Sequence, residues 1–247
     1  MWEYLSAPVD VDRLHEISDS RLWHARLMFL AWGIIAPLAV IVARFFKVLP
    51  GQDWPNRLDS QFWWLCHWVG QSIVWVLTIV AVSLMSPAET GSMRWPLHWH
   101  GWLGYSVVVL VCFQVVLGYF RGSKGGPSKH LTDGCPEGDH YRMSKRRRVF
   151  EMVHKSAGYS TLLLSLVTVF TGLWMVNAPR WMWCVIIIWW CILVILFAVF
   201  QRRGMAFDTY QAIWGPEPAH PGNRLPVGWG MNRYRVTRHT NEFKQKE

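Results

Sequence analysis

HARLMFLAWGIIAPLAVIVAR, His24 to Arg44, is the stretch that decides how this chain is read. Between Arg26 and Arg44 it carries no charged residue. A helix needs about 20 apolar residues to cross a bilayer core of ~30 Å, and this stretch supplies them. Working outward, the apolar span runs over about 23–46, and four more follow at about 62–85, 99–120, 150–176 and 181–201. None alternates in period two, so closed helices rather than barrel strands must satisfy the backbone in lipid. The reading is an all-α integral membrane protein with five transmembrane helices.

Composition agrees. The chain has 247 residues, of which 52% are hydrophobic and 17% charged, with 18 tryptophans. A soluble domain carries roughly 25% charged residues, and indoles at this density suit the headgroup level of a membrane. Mean hydropathy is only +0.14, so polar loops dilute very apolar spans. The five cysteines, Cys66, Cys112, Cys135, Cys184 and Cys191, form no CxxC or CxxCH pattern. Zinc ribbons, covalent c-type haem and a disulfide framework are thereby set aside. The N-terminus shows neither a basic n-region nor an apolar core, so no cleavable signal is expected.

The net charge of +9 does not point to nucleic acid, because the cations sort by membrane side. Arg13 and Arg21 precede the first span, Arg94 follows the second and Arg180 the fourth. The opposite set is much richer. It holds Arg44, Lys47 and Arg57, then Arg121, Lys124, Lys129, Arg142 and the run Lys145 to Arg148, then the tail from Arg202. The positive-inside rule places the N-terminus outside and the C-terminus in the cytoplasm, which an odd number of spans requires. The expected organisation is an outer head (1–22), a transmembrane domain (23–201) and a cytoplasmic tail (202–247). The short head and absent targeting segment fit a bacterial inner membrane.

Ionisable residues inside spans are functional suspects. His24, His67, His100 and His154 each open a different one of the first four spans. Because alternate spans run in opposite directions, His24 and His100 share the outer level, and His67 and His154 the cytoplasmic level. An interfacial role explains any single one of these histidines more simply than ligation does. Two depth-matched pairs are harder to dismiss, since a bis-imidazole haem needs one nitrogen from each side at equal depth. The two ligand levels are expected roughly 15–20 Å apart along the membrane normal. Small residues follow the histidines: Gly70 after His67, Gly101 and Gly104 after His100, and Ala157 and Gly158 after His154. They leave room for a flat macrocycle, or simply let helices approach.

His24 to Arg44, with its spaced H, LM, AW, P and AR elements, resembles the first core helix of the cytochrome b561 domain, as found in DOMON-linked and ascorbate-dependent members. HWVGQ at His67, HGWLG at His100 and HKSAGY at His154 resemble the next three ligand helices. The resemblance covers about 23–200. It implies two haems b, with His24 pairing with His100 and His67 with His154, in a four-helix haem-binding core with one peripheral helix. No DOMON segment is read here, and the tail lies outside the core motif, so the usual donor or acceptor partner is left open.

Other polar residues have plain readings beside functional ones. Arg26 and Lys155 suit haem propionates, or lie at the interface as snorkelling cations. Arg44 suits an anionic substrate or a propionate, or is an ordinary cytoplasmic-side cation. Gln71 and Gln114 suit helix–helix hydrogen bonds better than support of a ligand. His98 is an alternative ligand or a quinone- or ascorbate-binding residue, and more simply sits at headgroup level. His130, Asp133, Cys135, Asp139 and His140 fit no standard zinc spacing. The Lys145–Arg148 run attracts anionic membrane lipid or an acidic redox protein.

The functional expectation is transmembrane electron transfer through two bis-histidine haems b, with quinol, ascorbate or a protein as redox partner and possible quinol or ascorbate oxidoreductase activity. The rival readings are a cytochrome subunit docked in a larger respiratory or photosynthetic complex, and a haem-free membrane scaffold.

Overall fold

A computed structural model describes residues 1–13, 15, 17–85, 98–126 and 137–234. Among these the protein is helical, with two isolated bridges, Pro8–Pro179 and Phe207–Asn232, as its only extended pairings. A short α1 (Trp2–Ser6) precedes α2 (Asp19–Phe45), α3 (Phe62–Ser83) and α4 (His98–Tyr119). Then come α5 (Asp139–Arg142), α6 (Lys145–Met175), α7 (Arg180–Arg202) and α8 (Thr209–Trp214), with a 3₁₀ turn at Pro221–Arg224. Five of these, α2, α3, α4, α6 and α7, are long and apolar enough to cross a membrane. Their outer faces expose large aliphatic side chains such as Val109, Val194 and Ile195, an apolar surface that lipid would cover.

The spanning helices pack as two layers plus one. In the first layer, the Trp32 indole of α2 donates to Thr78 Oγ1 of α3 at 3.0 Å. Gln71 Nε2 of α3 donates to the Ala36 carbonyl at 3.4 Å, and Gly70 sits where a Cβ would lie 3.0 Å from Ala39 Cβ. The second layer is α4 on α6. There Gln114 Nε2 donates to the His154 carbonyl at 3.1 Å. Both glutamines thus join helices, the plainer of their expected roles. Between the layers, Ala31, Trp32 and Ala36 of α2 meet Val74, Val107 and Val111 in a core that closes the middle of the bundle.

α2 departs from α geometry over Phe29–Ile35, where it is a π-helix. Pro37 follows at once. Proline has no N–H to offer the carbonyl four residues back, and that carbonyl is Gly33. The Trp189 indole of α7 donates to it at 2.7 Å. One sequence defect in α2 therefore fixes where α7 docks, outside the four-helix core. Ile41 and Phe45 pack with Leu193 on the same face.

The end of the bundle that carries the tail is capped. The sequence places the fourth span at about 150–176. Instead α6 begins at Lys145, so the basic run forms its first turn. Ser144 caps it by accepting from Arg147 N, and Glu151 pairs with Arg147 and Lys155 at i,i±4, which offsets the crowding of like charge. The tail folds onto the loops: Tyr210 and Trp214 are buried against Trp63, Tyr141 and Met143. Arg233 is bonded to Asp208 and to the Asn223 and Leu225 carbonyls. Aromatic burial of this kind is non-local and leaves no period in the sequence.

Candidate functional site

Each layer holds its histidines against its own neighbour helix. In the first layer, His24 Nδ1 of α2 lies 2.9 Å from the Ala81 carbonyl of α3. In the second, His100 Nδ1 of α4 lies 3.0 Å from the Thr168 carbonyl of α6, with Thr171 Oγ1 at 3.4 Å. A carbonyl can only accept, so both Nδ1 atoms carry the proton and both Nε2 atoms are left with a lone pair. The two rings then face each other across the layers, with centroids 6.1 Å apart and planes at 77°. No hydrogen bond joins them.

The other pair repeats the arrangement at the tail end. His67 of α3 faces His154 of α6 with centroids 6.1 Å apart and planes at 82°. The Ala39 carbonyl lies beside the His67 ring, and Phe150 stacks on His154 at 5.2 Å. Nδ1 of both His67 and His154 is buried without a hydrogen bond. Along each helix the two levels lie roughly 20 Å apart at ~1.5 Å per residue.

A metal–imidazole bond of about 2 Å on each side, plus roughly 1 Å from nitrogen to ring centre, gives a centroid spacing of about 6 Å around one axial metal. Both pairs match. Among the described residues no group of three or more His, Cys, Asp or Glu is arranged to hold a metal ion. Two imidazoles suffice only where a macrocycle supplies the other four nitrogens. Room for one is present beside His100: a Cβ added at Gly101 or Gly104 would meet nothing within 4 Å. Gly172 serves a different end, since its Cβ would stand 2.9 Å from His100 Cε1. The residues therefore fit a haem.

The remaining candidates have these places. Arg26 is exposed and its guanidinium lies 5.1 Å from the Trp23 ring centroid. Lys155 is half exposed and pairs with Glu151 at 2.9 Å. Arg44 is fully engaged, donating to Gln201 Oε1, Tyr159 OH and the Gly230 carbonyl. The His98 side chain, Lys129, His130, Asp133 and Cys135 lie outside the described residues. His140 is buried in the cap beside Tyr210 and Trp214. Burial, then the Arg147 charge, pushes it down to about 3. Asp139 accepts from Ser144, which holds its carboxyl low. Lys47 is buried, donating to the Arg44 and Phe207 carbonyls, and burial brings it down to about 7. Sequence reading passed over Thr168, Thr171 and Gly172, whose only signal is a small-residue stretch one helix away from His100.

The fold is that of a multi-pass helical membrane protein, and its two facing histidine pairs suit a haem at each end. Residues 23–127 match the family model for eukaryotic cytochrome b561. A cytochrome b561, DM13 and DOMON domain-containing protein of Arabidopsis thaliana is 27% identical over 150 residues, covering 61% of this chain and 14% of the relative. Ferric-chelate reductase 1 of Bos taurus is 28% identical over 151 residues, covering 61% and 22%. A cytochrome b561 and DOMON domain-containing protein of Arabidopsis thaliana is 23% identical over 210 residues, covering 81% and 44%. The chain spans less than half the length of each of these relatives. No solved structure matches it significantly. Residues 23–127, under half of the chain, are thus similar to the cytochrome b561 family.

Proposed function

We propose that the chain carries electrons across a membrane through two haems b, one held by His24 and His100, the other by His67 and His154. The observation that carries this reading is the repeated 6.1 Å facing of two imidazole pairs at opposite ends of one bundle. Haem supplies reversible one-electron chemistry. The protein's part would be to hold each haem between two neutral imidazoles, His24 with His100 and His67 with His154. Bonds from Nδ1 to the Ala81 and Thr168 carbonyls fix the tautomer and strengthen the outer ligands. The apolar core around Trp32 excludes water between the levels. Arg26 and Lys155, close in sequence to His24 and His154, are the cations proposed for the haem carboxylates.

The cation-rich loops and tail favour a cytoplasmic position for the capped end. Electrons then pass between a reductant such as ascorbate or quinol on one side and an acceptor on the other. The ferric-chelate reductases among the relatives suggest a metal chelate as that acceptor. The test is purified protein in sealed vesicles with ascorbate inside and an impermeant ferric chelate outside. Reduction of the external chelate that depends on the protein and on all four histidines is expected. No reduction above protein-free vesicles, in either orientation, overturns the reading.

A further inference from the structure

On the end of the bundle that carries the N-terminus, a cleft of about 840 Å³ opens between α4 and α6. That volume lies within the range of small-molecule and cofactor sites. Trp99 and His100 form one wall, Phe170, Thr171 and Trp174 the other. Among the described lining residues, Arg13 is the only permanent cation. It comes from the N-terminal head rather than from any ligand helix.

The head is held so that Arg13 stands there. Asn177, buried and at a positive φ of 49°, clasps the head's backbone. Its Nδ2 donates to the Asp10 and Arg13 carbonyls at 2.8 and 2.7 Å, and its Oδ1 accepts from Asp10 N at 3.0 Å. The Arg13 guanidinium donates to the Trp174 and Met175 carbonyls at the C-terminal end of α6 and lies over the Trp174 ring at 5.9 Å. The bonded atoms are its two terminal nitrogens, so donors remain among the five that a guanidinium carries. Among the described residues no carboxylate pairs with it. A fixed guanidinium with N–H donors to spare, at the mouth of an apolar cleft, matches a carboxylate guest.

We infer that Arg13 holds a propionate of the outer haem at this cleft. The inference rests on His24 and His100 being that haem's ligands. His100, a proposed ligand of that haem, and Arg13 line the same cleft. A positive charge at that point favours the reduced haem.

The test is redox titration of each haem in the purified full-length protein, without added substrate, in wild type, R13Q, R13K and N177A. In R13Q both haems are retained, and the outer haem, identified as the one missing in H100A, titrates more negative. The expected change is about tenfold in its reduction equilibrium, which is about 59 mV for one electron. R13K recovers most of it. N177A moves the outer haem the same way by less, and the inner haem stays in place throughout. Should R13Q lose the outer haem alone, its return in R13K supports the inference, and its continued loss in R13K contradicts it. Unchanged potentials in R13Q with two haems bound overturn it and leave Arg13 as the cap of α6. So does an R13Q effect seen only in a second arm, as a raised KM for an added anionic reductant, which would assign Arg13 to a free carboxylate. A wild type lacking the outer haem would instead overturn the ligand assignment itself.

Discussion

His67 and His154 face each other at 6.1 Å between ring centroids, the same separation as His24 and His100 at the other end of the bundle. The four residues come from four helices, and each pair joins the α2–α3 layer to the α4–α6 layer. Neither pair is joined by a hydrogen bond, and under the proposed function the spacing is that of two imidazoles on one haem iron.

The first prediction follows from that pairing. His67→Ala and His154→Ala each remove the same haem, and His24→Ala and His100→Ala each remove the other, leaving about half the wild-type haem content in every case. Redox potentials of the survivor identify which one was lost. A single substitution in a protein that stays folded and yet loses both haems argues against two independent sites.

Gly172 is the floor under His100. A methyl group there stands 2.9 Å from Cε1, so Gly172→Ala displaces the ring from the Thr168 carbonyl. Disturbing the groups that orient a metal ligand costs on the order of tenfold in affinity. Haem retention during dialysis against apomyoglobin should fall at the outer site and hold at the inner.

Trp189 supplies the hydrogen bond that Pro37 denies to Gly33. Trp189→Phe keeps the ring's bulk and leaves that carbonyl unpaired, at a cost of about 1–3 kcal/mol. A lower midpoint in thermal unfolding in detergent, with haem content unchanged at low temperature, is expected. Pro37→Ala should lessen the effect, because it restores an N–H to the helix.

His140 makes the cap acid-sensitive. Its folded-state value, about 3, lies below the ordinary histidine value near 6.5. Between these two values the unfolded cap binds a proton that the folded cap refuses, so stability falls as pH falls from about 6.5. Above that range His140 contributes no pH dependence. Trypsin cleavage within 203–234 should be faster at pH 5 than at pH 7.5 relative to His140→Gln, which cannot titrate. An equal ratio at both pH values would remove His140 as the cause.

The parts of the molecule legible in its sequence are those the bilayer dictates. Length and hydropathy mark α2, α3, α4, α6 and α7, and a histidine near the start of a span stands out because lipid tolerates few. The start of α6 was not legible, because four cations in a row read as loop until Ser144 and Glu151 are seen to cap and pair them. Nor was the cap, whose Tyr210 bonds the Tyr141 carbonyl from 69 residues away. The supports of the site, Gly172 beneath His100 and Asn177 on Arg13, are equally long-range. A glycine in a span or an asparagine between spans carries no mark of its partner.

The central claim is two haems b in one chain, each between two histidines. Purified protein should give a b-type reduced-minus-oxidised spectrum, with a haem extract assay returning two haems b per chain. Its low-spin spectrum should be unchanged by carbon monoxide, because both axial positions are filled. A single haem per chain, no b-type spectrum at all, or a high-spin haem that binds carbon monoxide would contradict the account.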